Sequence, residues 1–214
     1  GEPQRLRVAE PMLRNLTSHK EQGQIMSRVM LLGDSIRMSY QALVAEELAA
    51  EGHEVWGPAE NCQFSLFTLA SLGRWLAEFP DPAVVHWNNG LHDIGHNPNR
   101  APVQMPLDVY TGNLGFICQH LVAVGTSVLF ATNTPVHPQR PFRSDTWSWR
   151  NEEIDSYNAA ARIVMAERKI PVNELHAVIA ADCDALLSDD QLHLSEAGIQ
   201  ACASAVAAAV RARL

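Results

Sequence analysis

Five short apolar runs, separated by longer stretches with helical periodicity, constrain this chain more than any other feature. Arg28-Val-Met-Leu-Leu32 ends at Gly33, and His53–Trp56, Ala83–Trp87, Thr126–Ala131 and Ile170-Pro-Val172 follow it. Between them Met38–Glu51 places Leu43, Val44, Leu48 and Ala49 at helical spacing and stops at Gly52. Phe67–Phe79 repeats Leu69, Leu72, Leu76 and Phe79 on one face before Pro80 and Pro82 break it. Helices are also predicted over about Leu107–Val122, over Arg150–Glu167 with Ile154, Ala161 and Val164 inward, and over Glu196–Leu214, where Ser195 can cap. Strands alternating with helices of this length imply βαβ units and a mostly parallel sheet covered on both faces. Pro171 cannot donate to a ladder, so the fifth strand reads as an edge. In such sheets ligands gather at the carboxyl ends of the strands. That rule selects the loops after Leu32, Trp56, Trp87 and Ala131, and the segment before the last helix.

The 214 residues suit one domain with a full core, expected over 26–214. Residues 1–25 are polar, lack the apolar core of a secretory signal and read as an extension ahead of Met26. A formal charge of −8 with no Lys/Arg run argues against nucleic acid or an anionic membrane surface, both of which draw on clustered cations. No apolar run approaches the roughly 18 residues needed to cross a bilayer. Cys62, Cys118, Cys183 and Cys202 are widely spaced with no C-x-x-C pair, which fits buried free thiols and favours a cytoplasmic setting. A secreted protein already stripped of its signal stays open, as does self-association, since no interface patch stands out.

Gly33-Asp-Ser-Ile36 directly follows the first strand and precedes a helix. Ser35 is thereby placed where unpaired helix amides favour an alkoxide or oxyanion. On its own the tripeptide is equally a helix-capping turn. Asp189-Asp-Gln-Leu-His193 places an aspartate three residues before a histidine, just ahead of the last helix. That spacing lets a carboxylate reach Nδ1 and leaves Nε2 free to take a serine proton. On its own this segment too reads as an acidic helix start.

Together the two segments resemble the SGNH (GDSL-type) hydrolases, in which a G-D-S block opens the fold and a D-x-x-H block closes it. The resemblance spans about Arg28 to the C-terminus. It implies a three-layer α/β/α sandwich with a five-stranded, mostly parallel sheet of flavodoxin-like order. It also implies ester hydrolysis through an acyl-serine, without a cofactor. Ser35 is then the nucleophile, His193 the base and Asp190 its orienter, with Asp189 the poorer match by spacing.

Two middle blocks depart from the family pattern. The second, Glu60-Asn-Cys-Gln63, puts Gln63 where the family has a glycine whose amide enters the oxyanion hole; Cys62 is the other candidate for that N–H. The third, usually G-x-N-D, reads Gly90-Leu-His92-Asp93 after Trp87-Asn-Asn89, so His92 stands in place of the oxyanion asparagine. Asn89 or Asn88 could reach the site instead. The W-N-N-G-L-H-D variant is similar to a branch associated with carbohydrate-directed esterases. The expected oxyanion hole combines the Ser35 amide, an amide near Gln63, and Asn89 or His92.

His86, His92, Asp93 and His96 cluster in sequence, but His86 falls within a predicted strand, and buried or loop polar groups are the expected reading, so no metal is expected. The long connection from Thr132 to Arg150 reads as a binding loop. Its Trp147 and Trp149 can stack on a sugar or pack the loop down, and Arg140, Arg143 or Arg150 can hold an anion. Asp34, Asn88, Asn133, Trp147 and Trp149 are the candidate substrate contacts, with Asn133 expected to face the site better than either tryptophan. The expected substrate is a short-chain ester, most simply an O-acetyl group on a carbohydrate. Lipase or acyl-thioesterase action on longer acyl groups is one alternative, and a catalytically silent binding module of the same fold is another.

Overall fold

A computed structural model describes residues 26–140, 142 and 146–214; the extension expected over 1–25 and the side chain of Arg143 lie outside them. The chain runs β1 (Arg28–Leu32), α1 (Ser35–Ala49), β2 (Glu54–Trp56), α2 (Ser65–Glu78), β3 (Val84–Trp87), α3 (Leu91–Ile94), α4 (Leu107–Ala123) and β4 (Ser127–Ala131). It continues with α5 (Asn151–Glu167), β5 (Val172–Asn173), α6 (Leu175–Ala180), α7 (Cys183–Leu186) and α8 (Glu196–Arg211).

The sheet order is β2-β1-β3-β4-β5 and every pairing is parallel, the flavodoxin-like arrangement expected from the resemblance. α1 packs against α8 on one side, while α4 packs against both α2 and α5 on the other. A parallel sheet covered on both faces needs apolar residues at every position rather than alternate ones. Val29–Leu32, Val84–Val85 and Phe130–Ala131 meet that need and are all buried. Each such aliphatic or aromatic side chain contributes about 1.5–3 kcal/mol relative to exposure. Trp87 of β3 stands opposite Leu32 and Phe130, and its ring meets that of Phe130 edge-on at 5.0 Å.

The chain leaves β1 toward β2 on one side and returns as β3 on the other. A crevice therefore opens where the loops after β1 and β3 part, the usual ligand position in open parallel sheets. Two glycines make those loops possible. A Cβ on Gly33 would lie 2.7 Å from that of Arg37, and Gly90, at φ 152°, has Asn133 Nδ2 2.1 Å from where its Cβ would be.

Several boundaries differ from expectation. α1 starts at Ser35 rather than Met38 because the Asp34 carboxylate caps it, accepting from the Ile36 amide at 2.9 Å. β5 is displaced to Val172–Asn173. α3, α6 and α7 have four to six residues each, too short to carry a readable periodicity. Ser195 does cap α8, accepting from Gly198 N at 3.1 Å. Cys62, Cys118 and Cys202 are buried and Cys183 half-buried, and all four are free.

His86, fully enclosed in β3, meets Asn173 Nδ2 through Nε2 at 3.2 Å. Burial depresses its pKa to about 4. The unfolded chain therefore binds a proton here near pH 6.5, and the folded chain only near pH 4. Its titration takes away no stability above pH 6.5 and removes stability progressively as the pH falls to about 4. At about 1.4 kcal/mol per pKa unit the loss is about 3 kcal/mol. Denaturant unfolding of wild type and His86→Gln should therefore show a stability difference that shifts toward the variant by about that amount between pH 7 and pH 4. A pH-independent difference would contradict the neutral, buried imidazole.

Candidate active site

Ser35 opens α1 at the carboxyl end of β1, so its amide is among the helix N–H groups without an intrahelical acceptor. Its hydroxyl lies 3.0 Å from His193 Nε2. His193 comes from the loop ahead of α8, and its Nδ1 lies 2.6 Å from Asp190 Oδ2. The other Asp190 oxygen accepts from the amides of Leu192 and His193 and from Ser188 Oγ, each at 2.9 Å. Burial raises the Asp190 pKa, but the hydrogen bonds from His193, the two amides and Ser188 outweigh it and bring the carboxyl down to about 2. It is therefore an anion at any working pH. A charged Asp190 holds the proton of neutral His193 on Nδ1, which leaves Nε2 as an acceptor facing the serine. Asp189 is exposed and takes no part.

Ser35 and His193 line a cavity of about 340 Å³ with Asp34, Asn61, Leu91, His92, Phe142, Trp147, Trp149 and Leu192. Asn61 was not among the expected contacts. Its Oδ1 accepts from the Gln63 amide at 2.7 Å, which fixes the side-chain orientation and turns Nδ2 toward His92 Nε2, 3.4 Å away. The Gln63 amide, at a left-handed φ of 49°, is thus consumed by Asn61 and does not face the cavity as expected. Nor is the Cys62 amide available, since it donates to Gly33 O at 3.1 Å.

Asn89 also departs from expectation. Its side chain is fully buried, with Oδ1 accepting from Trp87 Nε1 at 2.6 Å and Nδ2 donating to Gln63 O at 3.0 Å. It braces the loop beneath the site instead of donating into it. Asn88 and Asn133 are likewise turned inward. Asn88 Nδ2 donates to Ala131 O at 2.8 Å, and Asn133 Nδ2 donates to Asn158 Oδ1 at 3.0 Å. Neither lines the cavity, so the ranking of Asn133 above the tryptophans is reversed. Asp34 borders the cavity but is 1% exposed and acts as the α1 cap.

Trp147 and Trp149 stack on one another, centroids 5.5 Å apart and planes 10° from parallel. Phe142 meets Trp149 edge-on at 4.9 Å, and His92 meets Trp147 at 6.4 Å. Trp149 Nε1 donates to Leu91 O at 2.7 Å, so the pair both packs the loop down and walls the cavity. The loop is fastened at Ser148, which exchanges two backbone hydrogen bonds with His96, while the His96 ring lies 2.7 Å from Glu153 Oε2 on α5. Gly95 leaves room beneath the rings, where a Cβ would stand 2.8 Å from Trp147. Arg140 is engaged by Asp184 and Arg150 by Glu153.

The four residues weighed for a metal go to separate partners. His86 meets Asn173, His92 meets Asn61, His96 meets Glu153, and Asp93 binds the start of α2. Both Asp93 oxygens accept from Ser65 N at 3.0 Å, and Ser65 Oγ adds a bond of 2.6 Å. Burial nonetheless raises this carboxyl to about 6, against the Ser65 hydrogen bonds that lower it.

A serine–histidine–aspartate chain at the switch point of a parallel sheet, with no nucleophile elbow before it, is the architecture of an SGNH-type serine hydrolase. The chain belongs to the GDSL-like Lipase/Acylhydrolase family, whose model matches residues 31–201, and it is accordingly a carboxylic-ester hydrolase.

The fold is also that of solved structures at low identity. The acetyl xylan esterase AlAXEase aligns with TM-score 0.70 at 18% identity, over 86% of this chain and 99% of that one. The lipase/acylhydrolase from Enterococcus faecalis gives 0.69 at 20%, over 88% and 97%. The psychrotrophic esterase EstA from Pseudoalteromonas sp. gives 0.65 at 14%, over 86% and 97%. No curated protein matches the chain by sequence. Among the described residues no helix is long and apolar enough to cross a membrane.

Proposed function

We propose that the chain hydrolyses short-chain esters, with O-acetyl groups on a carbohydrate as the favoured substrate. The observation that carries this reading is the Ser35–His193–Asp190 chain opening into an aromatic-walled cavity. Ser35 Oγ attacks the ester carbonyl while His193 Nε2 takes its proton. The carbonyl oxygen becomes an oxyanion held by the Ser35 amide and Asn61 Nδ2, with His92 beside them. On collapse His193 returns the proton to the leaving alcohol and the acyl group stays on Ser35. Water, deprotonated by His193, then attacks the acyl-serine, and His193 returns that proton to Ser35 Oγ as the acid leaves.

Three observations support a carbohydrate alcohol. The Trp147–Trp149 pair offers a flat aromatic face of the kind that stacks on a pyranose. No cation lines the cavity among the described residues, which suits a neutral ligand. An acetyl xylan esterase shares the fold. Against this, the cavity of about 340 Å³ is far larger than an acetyl group, and Leu91, Leu192 and Phe142 in its wall favour a second reading with a longer acyl chain.

A panel of p-nitrophenyl acetate, butyrate and octanoate beside acetylated xylo-oligosaccharides separates the two. The carbohydrate reading expects kcat/KM to fall with acyl length. It also expects Trp147→Ala to raise KM for the acetylated oligosaccharide by about tenfold, in line with about 1–1.5 kcal/mol for an aromatic contact, while p-nitrophenyl acetate is barely affected. Rates that climb with acyl length, with no turnover of acetylated sugar, would favour the longer-chain reading.

A further inference from the structure

Arg37 lies two residues beyond the nucleophile and is 2% exposed, yet no carboxylate is among its hydrogen-bond partners. Its guanidinium donates instead to main-chain carbonyls of two different loops. Nε and one terminal nitrogen reach Gly33 O at 3.4 and 3.2 Å, in the turn that presents Ser35. The terminal nitrogens reach Pro58 O at 2.9 Å and Glu60 O at 2.8 Å, in the loop that presents Asn61. Gln41 Oε1 takes a further N–H at 2.5 Å, and Cys62 Sγ lies 3.7 Å away.

A guanidinium is planar and rigid, with N–H groups directed to both sides, so it fixes the separation of whatever it joins. The joined segments are those carrying the two proposed oxyanion donors, the Ser35 amide and Asn61 Nδ2. Among the described residues, the other hydrogen bond joining them near this point is Cys62 N to Gly33 O. The spacing of donors around a developing oxyanion has to be held within a few tenths of an ångström for them to act on the transition state.

We propose that Arg37 is a positioning residue that sets the distance between the Ser35 amide and the Asn61 side chain, and so the geometry of the oxyanion hole. The proposal rests on the serine-esterase reading above. Loss of Arg37 acts on the tetrahedral species rather than on the bound ester. It lowers kcat and leaves KM nearly unchanged.

The test measures p-nitrophenyl acetate kinetics for Arg37→Gln and Arg37→Lys, alone and combined with Asn61→Ala. Folded sites are counted by labelling with a fluorophosphonate. For Arg37→Gln, kcat per labelled site is expected to fall about 10²-fold with KM within about twofold, the scale of losing one oxyanion donor. Arg37→Lys keeps the charge but cannot span both loops, and is expected to recover less than tenfold of that loss. In the Asn61→Ala background the same Arg37→Gln change should cost less than about threefold, because its target is already gone. Inhibition by benzeneboronic acid, which forms a tetrahedral adduct on serine, should weaken in parallel with kcat.

Wild-type kcat in Arg37→Gln, full recovery in Arg37→Lys, a loss that persists undiminished beside Asn61→Ala, or unchanged boronate inhibition would each overturn the proposal. A wild type that neither hydrolyses esters nor labels at Ser35 would instead bring down the esterase reading, and this proposal with it. That result is distinct from an active wild type beside equally active Arg37 variants.

Discussion

Ser35→Ala and His193→Ala are each expected to lower kcat on p-nitrophenyl acetate by about 10⁴-fold or more, and the double variant is expected to be little worse than either. The reason is that the hydroxyl and the imidazole, 3.0 Å apart, form one device. Without the histidine the serine keeps its proton and is a poor nucleophile; without the serine the histidine has nothing to activate but water. Residual rate in either variant then comes from the oxyanion donors acting on water attack. KM should change little, since the cavity walls formed by Leu91, Leu192 and the tryptophans remain. The fold should also survive, because among the described residues Ser35 Oγ bonds to His193 and the cap of α1 is the Asp34 carboxylate. Steady-state kinetics and thermal unfolding on the same preparations check both points. Single variants within tenfold of wild type, or single losses that multiply in the double variant, would dismantle the triad.

How far this site was legible in the sequence depended on the range of the interactions that build it. Strands β1, β3 and β4 are runs of buried apolar residues, and period and composition reveal such runs without knowledge of their neighbours. Ser35, His193 and Asp190 lie in two short segments whose local spacing already implies hydrogen bonds. The oxyanion donors are a different matter. Asn88, Asn89 and Asn133 were indistinguishable from Asn61 by residue type, and all four follow or flank a strand end. What separates them is where each amide is used up. Asn89 is held between Trp87 and Gln63, Asn88 bonds to Ala131, and Asn133 bonds to Asn158, partners 2 to 43 residues away along the chain. Only the assembled sheet shows which amides are already satisfied. The part played by Arg37 is illegible in the sequence for the same reason, because its carbonyl partners are set by the path of the 58–60 loop and not by residue type.

Asp190→Asn is expected to lower kcat by about 10³- to 10⁴-fold at pH 7 while leaving the fold and KM close to wild type. One Asp190 oxygen accepts three hydrogen bonds, from two amides and Ser188, and the other takes the His193 ring. An asparagine keeps its single carbonyl oxygen with the three donors, since turning its NH₂ toward them would set donor against donor three times. Its NH₂ then faces His193 Nδ1. The ring answers by accepting at Nδ1 and carrying its proton on Nε2, the tautomer that cannot take a proton from Ser35. The loss should therefore appear in kcat and in the rate of fluorophosphonate labelling together. The wild-type carboxyl is ionised down to about pH 2, so its protonation does not produce an acid limb in the pH–rate profile above about pH 3. Asp189→Asn is the matched control, because that side chain is exposed, and its kcat should stay within about twofold of wild type. If instead Asp189→Asn were crippled and Asp190→Asn active, the orienting carboxylate would be the other one. The loop ahead of α8 would then have to adopt a different turn in the working enzyme.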